Sequence, residues 1–122
     1  MPTQTFSSIL CAPHTMRLTR QLKVEDAHDD AVWCCAWVPG DGPHGGDLIT
    51  GSVDEAVKVW RPPPAGESGG AGAADAIPLE PLHTYVGHTL GAVSVAADAT
   101  GTYGASASLD SFVRVWSLAD AR

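Results

Sequence analysis

Ten residues that occur twice limit this chain more than any other feature: GSVDEAVKVW at 51–60 returns as ASLDSFVRVW at 107–116. Ser52, Asp54, Val57, Val59 and Trp60 recur unchanged as Ser108, Asp110, Val113, Val115 and Trp116, and Lys58 is answered by Arg114. The upstream halves agree as well. AHDDAVWCCAW at 27–37 runs parallel to GHTLGAVSVAA at 87–97, each led by a histidine, His28 and His88. A chain that repeats itself builds one supersecondary unit twice and stacks the copies, because neither copy buries its apolar face alone. The spacing is 60 residues between the histidines and 56 between the tryptophans, longer than the roughly 40 to 45 of a common four-stranded repeat. The surplus is PPPAGESGGAGAADA at 62–76, in which twelve of fifteen residues are Pro, Gly or Ala. Such a stretch has nothing large to bury and reads as a solvated loop.

Outside that loop the chain falls into short β-branched or aromatic segments, at 31–38, 46–52, 56–61, 81–86, 91–96, 103–108 and 112–118. The turn signals PGDGPHGG, DE, DATG and DS separate them, and no segment has a helical period. The expectation is an all-β repeat protein with four antiparallel strands per unit. Its 122 residues suit one domain, and no apolar run approaches the roughly 20 residues of a membrane-spanning helix. Residues 1–24 carry three bases and no acid, whereas 25–122 carry four bases and fourteen acids, a balance of −10. An acidic body repels phosphate backbones and argues against direct nucleic-acid binding.

Three cysteines, Cys11 and the adjacent pair Cys34 and Cys35, make no disulfide framework and read as reduced thiols. The histidines at 14, 28, 44, 83 and 88 lack ligand spacing, so neither a metal nor a cofactor is expected. The first twenty residues lack the apolar core of a secretory signal; acid-free and rich in Ser and Thr, they have some transit-peptide character, and 1–16 is read as a disordered leader. GESGG at 66–70 fits the nucleophile-elbow pattern, but Ser68 has no strand before it and no helix after it, so catalysis is not expected. Asp29 and Asp30 read as a solvated loop entering a strand, not as a paired-carboxylate site. Four tryptophans in an acidic chain read as packing residues and not as a base-stacking platform.

From 20 to 118 the residues resemble the WD-repeat β-propeller family. That resemblance implies a hydrogen-bonded quartet in each repeat: His28, Thr50 or Ser52, Asp54 and Trp60, then His88, Ser106 or Ser108, Asp110 and Trp116. The residue types suit such a relay. An indole only donates, a hydroxyl accepts and donates onward, neutral imidazole does the same through its two nitrogens, and a carboxylate ends the chain as acceptor. The dipeptide that names the family is absent, since Trp60 precedes Arg61 and Trp116 precedes Ser117. The implied organisation is a strand of a closing blade at 17–26, repeat 1 at 27–61, the loop at 62–80, an outer strand at 81–86, repeat 2 at 87–118 and a tail at 119–122. This amounts to about one and three-quarter blades of an incomplete seven-bladed-type propeller. Rings need about 4 to 8 blades, so a truncated form or fragment of marginal stability is expected, with open faces and strand edges that invite association.

Four segments together, AHDDAVWCCAW, TGSVDEAVKVW, GHTLGAVSV and SLDSFVRVW, resemble the first two repeats of the WD-repeat subunits of the superkiller complex, which also serve the RNA polymerase-associated factor complex. The resemblance implies a non-enzymatic scaffold in cytoplasm and nucleus. Its implied partners are the helicase and helical-repeat scaffold subunits of the first complex and subunits of the second. Family geometry exposes Asp29, Asp30, Val53, Leu90 and Leu109 on one loop face as partner-facing. Trp33, one place off the apolar row, is either an anchor there or packing between blades. The alternative class is a small autonomous β domain with an unrelated protein partner.

Overall fold

A computed structural model describes residues 23–41, 45–64 and 80–121. The strands are β1 (Val32–Pro39), β2 (Gly46–Ser52), β3 (Ala56–Trp60), β4 (His83–Val86), β5 (Ala92–Ala97), β6 (Tyr103–Ser108) and β7 (Val113–Ser117), followed by a single 3-10 turn at Ala119–Ala121. Every predicted segment holds one strand. Strands β1 to β4 form one antiparallel meander and β5 to β7 a second, so blade 1 has four strands and blade 2 three among the described residues. The leader 1–16, Cys11, His14, His44 and Ser68 lie outside those residues. Of the segment 17–26, residues 23–26 are described and contain a turn but no strand.

Local chemistry fixes the hairpins. The two tight turns after β2 and β6 place Glu55 and Ser111, which occupy the same position in the two repeats, at φ of 72° and 70°. That left-handed conformation costs a residue with a Cβ about 1–2 kcal/mol. In each turn the preceding aspartate offsets the cost, since Asp54 Oδ1 accepts from the Ala56 amide at 2.9 Å and Asp110 Oδ1 from the Phe112 amide at 3.0 Å. At the entry to β2, Gly46 has φ of 127°, and a Cβ there would stand 2.2 Å from the Val38 carbonyl oxygen. Only glycine fits.

The two sheets stack face to face, and the core is the seam between them. Val38, Ile49, Val57, Val59 and Tyr85 of blade 1 meet Ala92, Val95 and Leu118 of blade 2. Two glycines set the closeness: a Cβ on Gly51 would lie 3.1 Å from Ala92 and 3.2 Å from Val95, and one on Gly104 3.3 Å from Ile49. Tyr85 stitches the seam by donating its hydroxyl to the Ser117 carbonyl at 2.6 Å and by packing on Trp116 with ring centroids 4.7 Å apart. The described residues contain no helix long and apolar enough to cross a membrane.

Candidate functional site

Period-2 alternation puts Thr50 and Ser52 on one face of β2 and leaves open which of them serves the relay. Register decides. Thr50 pairs with Lys58 and Leu48 with Trp60, so the indole reaches the Thr50 hydroxyl, and Trp60 Nε1 donates to Thr50 Oγ1 at 2.8 Å. Thr50 Oγ1 in turn lies 2.8 Å from His28 Nε2, and His28 Nδ1 lies 2.9 Å from Asp54 Oδ2. The direction follows from donor inventory: indole to hydroxyl, hydroxyl to Nε2, Nδ1–H to carboxylate. Blade 2 repeats the arrangement, with Trp116 Nε1 to Ser106 at 2.7 Å, Ser106 to His88 Nε2 at 2.7 Å and His88 Nδ1 to Asp110 at 3.0 Å.

Ser52 and Ser108 have a different task, nearer the loops. Ser52 donates to the Ala31 carbonyl at 2.9 Å and accepts from the Asp54 amide at 3.1 Å. Ser108 donates to the Leu90 carbonyl at 2.8 Å and accepts from the Asp110 amide at 3.1 Å. Each therefore clamps the turn that carries the aspartate to the loop that carries the histidine.

The carboxylates are held ionised by this surrounding. Burial pushes the Asp54 carboxyl up, but the Ala56 and Asp29 amides and the His28 ring outweigh it and leave it below the usual carboxylate range. Burial likewise opposes ionisation of Asp110. The Thr89 and Phe112 amides, His88 and the Arg114 guanidinium overcome it and hold that carboxyl far below the usual range. Arg114 Nη1 stands 2.9 Å from Asp110 Oδ2. Its counterpart Lys58 instead donates to the Ala27 carbonyl at 2.6 Å. These two cations were not singled out from the sequence, although their matched places two residues before each tryptophan were visible. The Asp47–Arg61 pair, with Arg61 Nε 3.0 Å from Oδ1, and the Tyr85 stitch also lay beyond sequence reasoning, because each depends on how distant strands are set side by side.

Chemically, the quartets have little left to offer a substrate. Both imidazoles have both nitrogens engaged within hydrogen-bond distance, and no buried side-chain nitrogen or oxygen among the described residues lacks a partner. Such groups, orphaned in a core, would cost about 1–3 kcal/mol each, so the relay holds strands together. Burial raises the Cys34 thiol, against the direction of an activated nucleophile. No group of three His, Cys, Asp or Glu among the described residues is placed to hold a metal ion.

What the fold does present is a loop surface at the open end of the seam. Leu109 N donates to the Gly91 carbonyl at 3.1 Å, which ties its turn to Gly91, and Val53 N donates to the Ala31 carbonyl at 3.0 Å, which ties the other turn to the residue before β1. A Cβ on Gly91 would lie 2.9 Å from Val53 Cα and 3.5 Å from the Trp33 ring. Trp33 thus packs beside the seam while half of it, 51%, faces solvent, and Leu90 and Leu109 are exposed beside it. Asp29 and Asp30 are exposed, and Val53 is half-buried between the turns.

This architecture agrees with comparison to known proteins. The family described as WD domain, G-beta repeat matches residues 19–61 and 79–117. The chain belongs to the WD-repeat family. A WD-repeat protein of Arabidopsis thaliana, WD repeat-containing protein VIP3, is 39% identical over 103 residues, covering 84% of this chain and 28% of the relative. WD repeat-containing protein SL1-17 of Schistosoma mansoni is 33% identical over 98 residues, covering 80% and 29% respectively. The WD-repeat chain therefore spans less than a third of the length of these relatives, and its two sheets are partial-propeller blades.

Proposed function

We propose that this WD-repeat chain is a non-enzymatic scaffold that binds protein segments through the loop surface of Trp33, Val53, Leu90 and Leu109, rimmed by Asp29 and Asp30. The observation that carries this reading is the contrast within each blade. The polar groups that look reactive are consumed in two closed relays, while large apolar side chains stand exposed around Gly91. An exposed tryptophan is the kind of aromatic anchor that protein interfaces use, and the apolar side chains around it exclude water.

The finer assignment is to the WD-repeat subunit shared by the superkiller and RNA polymerase-associated factor complexes. It places the protein in exosome-linked messenger RNA decay in the cytoplasm and in transcription elongation with its histone modification in the nucleus. It is supported by the four segments that resemble that subunit's first two repeats, and it makes the helicase and helical-repeat subunits of the superkiller complex the first partners to test. Affinity capture of the tagged chain from a eukaryotic extract should recover these subunits or those of the polymerase-associated complex. Trp33→Ala combined with Leu109→Asp should lose them. Equal recovery by the double variant, or recovery of neither set by the parent chain, contradicts the reading.

A further inference from the structure

The prolines that open the 62–76 stretch take no part in either relay or in the loop surface, and blade 2 makes the matching exit without them. Shifting by 56 residues sets Arg61, Pro62, Pro63 and Pro64 against Ser117, Leu118, Ala119 and Asp120. There the chain turns back onto its own sheet. The Leu118 amide donates to the Thr102 carbonyl at 2.8 Å, its side chain is buried in the seam, and the 3-10 turn follows. Pro62 has no amide hydrogen and cannot make that bond. Residues 61–64 accordingly leave β3 outside any helix, strand or turn.

Two restraints keep the run extended. Each ring fixes its own φ at about −65°, and a residue that precedes proline is pushed toward β or polyproline II geometry, which applies to Arg61, Pro62 and Pro63. The start of the run is pinned as well. Arg61 Nε donates to Asp47 Oδ1 at 3.0 Å and Nη2 to Oδ2 at 3.2 Å, and Asp47 is buried. The returning chain is fastened to the end of the same strand, with Leu82 N donating to the Val59 carbonyl at 2.7 Å. Pro62, Pro63 and Pro64 are half-buried, so each keeps a solvent-facing part. A ridge ordered before it binds loses little conformational entropy on docking, which is why aromatic-lined grooves favour the polyproline II form. Positions 65, 66 and 67 are Ala, Gly and Glu, so these prolines make no P-x-x-P pair and offer adjacent rings instead.

We infer that 62–64 is a docking ridge for a second protein, a domain whose aromatic groove takes adjacent prolines, as WW domains do. Every residue that holds the ridge, Asp47, Val59, Arg61 and Leu82, belongs to blade 1, so no further blade is needed to form it. Strand β3 runs from the Asp54 turn to Trp60, which puts the ridge and the Trp33 surface at opposite ends of blade 1. The two share no residue. One chain can therefore hold two partners at once, as an adaptor must.

NMR titration of an isotope-labelled WW domain with the full 122-residue chain tests this. The expected result is a saturable shift of the signals that line the groove, reversed when a polyproline peptide is added as competitor. Pro63→Ala combined with Pro64→Ala should weaken binding about tenfold or more and leave the urea midpoint of the chain where it was. Trp33→Ala combined with Leu109→Asp should bind the WW domain as the parent does, so loss of the loop surface and loss of the ridge are read apart. No shift with the chain in large excess, shifts outside the groove, or undiminished binding by the double proline variant would each overturn the inference.

Discussion

Val59 and Val115 occupy the same place in two copies of one sequence motif, yet Val59 is 2% exposed and Val115 69%. Neither the side chain nor the strand accounts for the difference. Blade 1 carries blade 2 on that face, and among the described residues nothing packs on the matching face of blade 2. The quartets, by contrast, are nearly superimposable in their distances, because their hydrogen bonds close within one blade. The pair of blades therefore separates two kinds of stabilisation: polar relays that belong to a repeat, and apolar burial that belongs to a neighbour.

The sharpest way to break that separation is at the relay hydroxyls. Thr50→Val leaves the Trp60 indole and the His28 Nε2 atom without their partner and should lower unfolding free energy by about 2–4 kcal/mol. Ser106→Ala should cost less, about 1–2 kcal/mol, since Trp116 is only half-buried. Urea titrations of both variants decide this, and an effect below 0.5 kcal/mol at Thr50, of order the scatter of surface substitutions, would remove the relay from the stability of blade 1. Next in size is the valine pair. Val59→Ala should cost about 2 kcal/mol through lost burial and the space left behind, whereas Val115→Ala should stay within about 0.5 kcal/mol. Equal losses would mean the outer face of blade 2 is covered.

Acid should weaken the fold through both carboxylates. Asp54 and Asp110 titrate lower in the folded chain than in the unfolded one, so the stability they confer is present above the unfolded value of about 4 and is lost as pH falls from there toward their folded values. Arg114→Met should reduce stability at neutral pH, and acid unfolding of the variant should begin at a higher pH than that of the parent, since Asp110 loses one of the groups that hold its carboxyl low. An acid midpoint identical in variant and parent, with stability lost equally at every pH, would show that Arg114 acts by packing and not through Asp110. The smallest effect is expected at the tight turns, where Glu55→Gly and Ser111→Gly each relieve a positive φ and should stabilise by up to about 1 kcal/mol. Opposite signs in the two blades would contradict the equivalence of the turns.

Strand positions were legible because β-branched runs and turn residues alternate cleanly, and the repeat gave each assignment a second witness. His28, Asp54 and Trp60, with their counterparts, were legible as a chemical series of donors and acceptors. The choice between Thr50 and Ser52 was not, since residues two apart on a strand share a face and only the register with β3 separates them. Lys58 and Arg114 show the limit in another way. Alike in sequence, they take different partners, a backbone carbonyl and a carboxylate, and nothing local distinguishes the two outcomes. The exposure of Val113 and Val115 was foreseeable only from the count of blades, not from the residues themselves.

Hydrogen exchange at the four indole N–H groups, followed by NMR, tests the twin relays most directly. Trp60 and Trp116, each donating to a hydroxyl, should exchange far more slowly than the half-exposed Trp33, and Thr50→Val should strip protection from Trp60 before Trp116. Four indoles exchanging at one rate, or a Trp60 indifferent to the loss of Thr50, would contradict a fold held by imidazole, hydroxyl, carboxylate and indole in series.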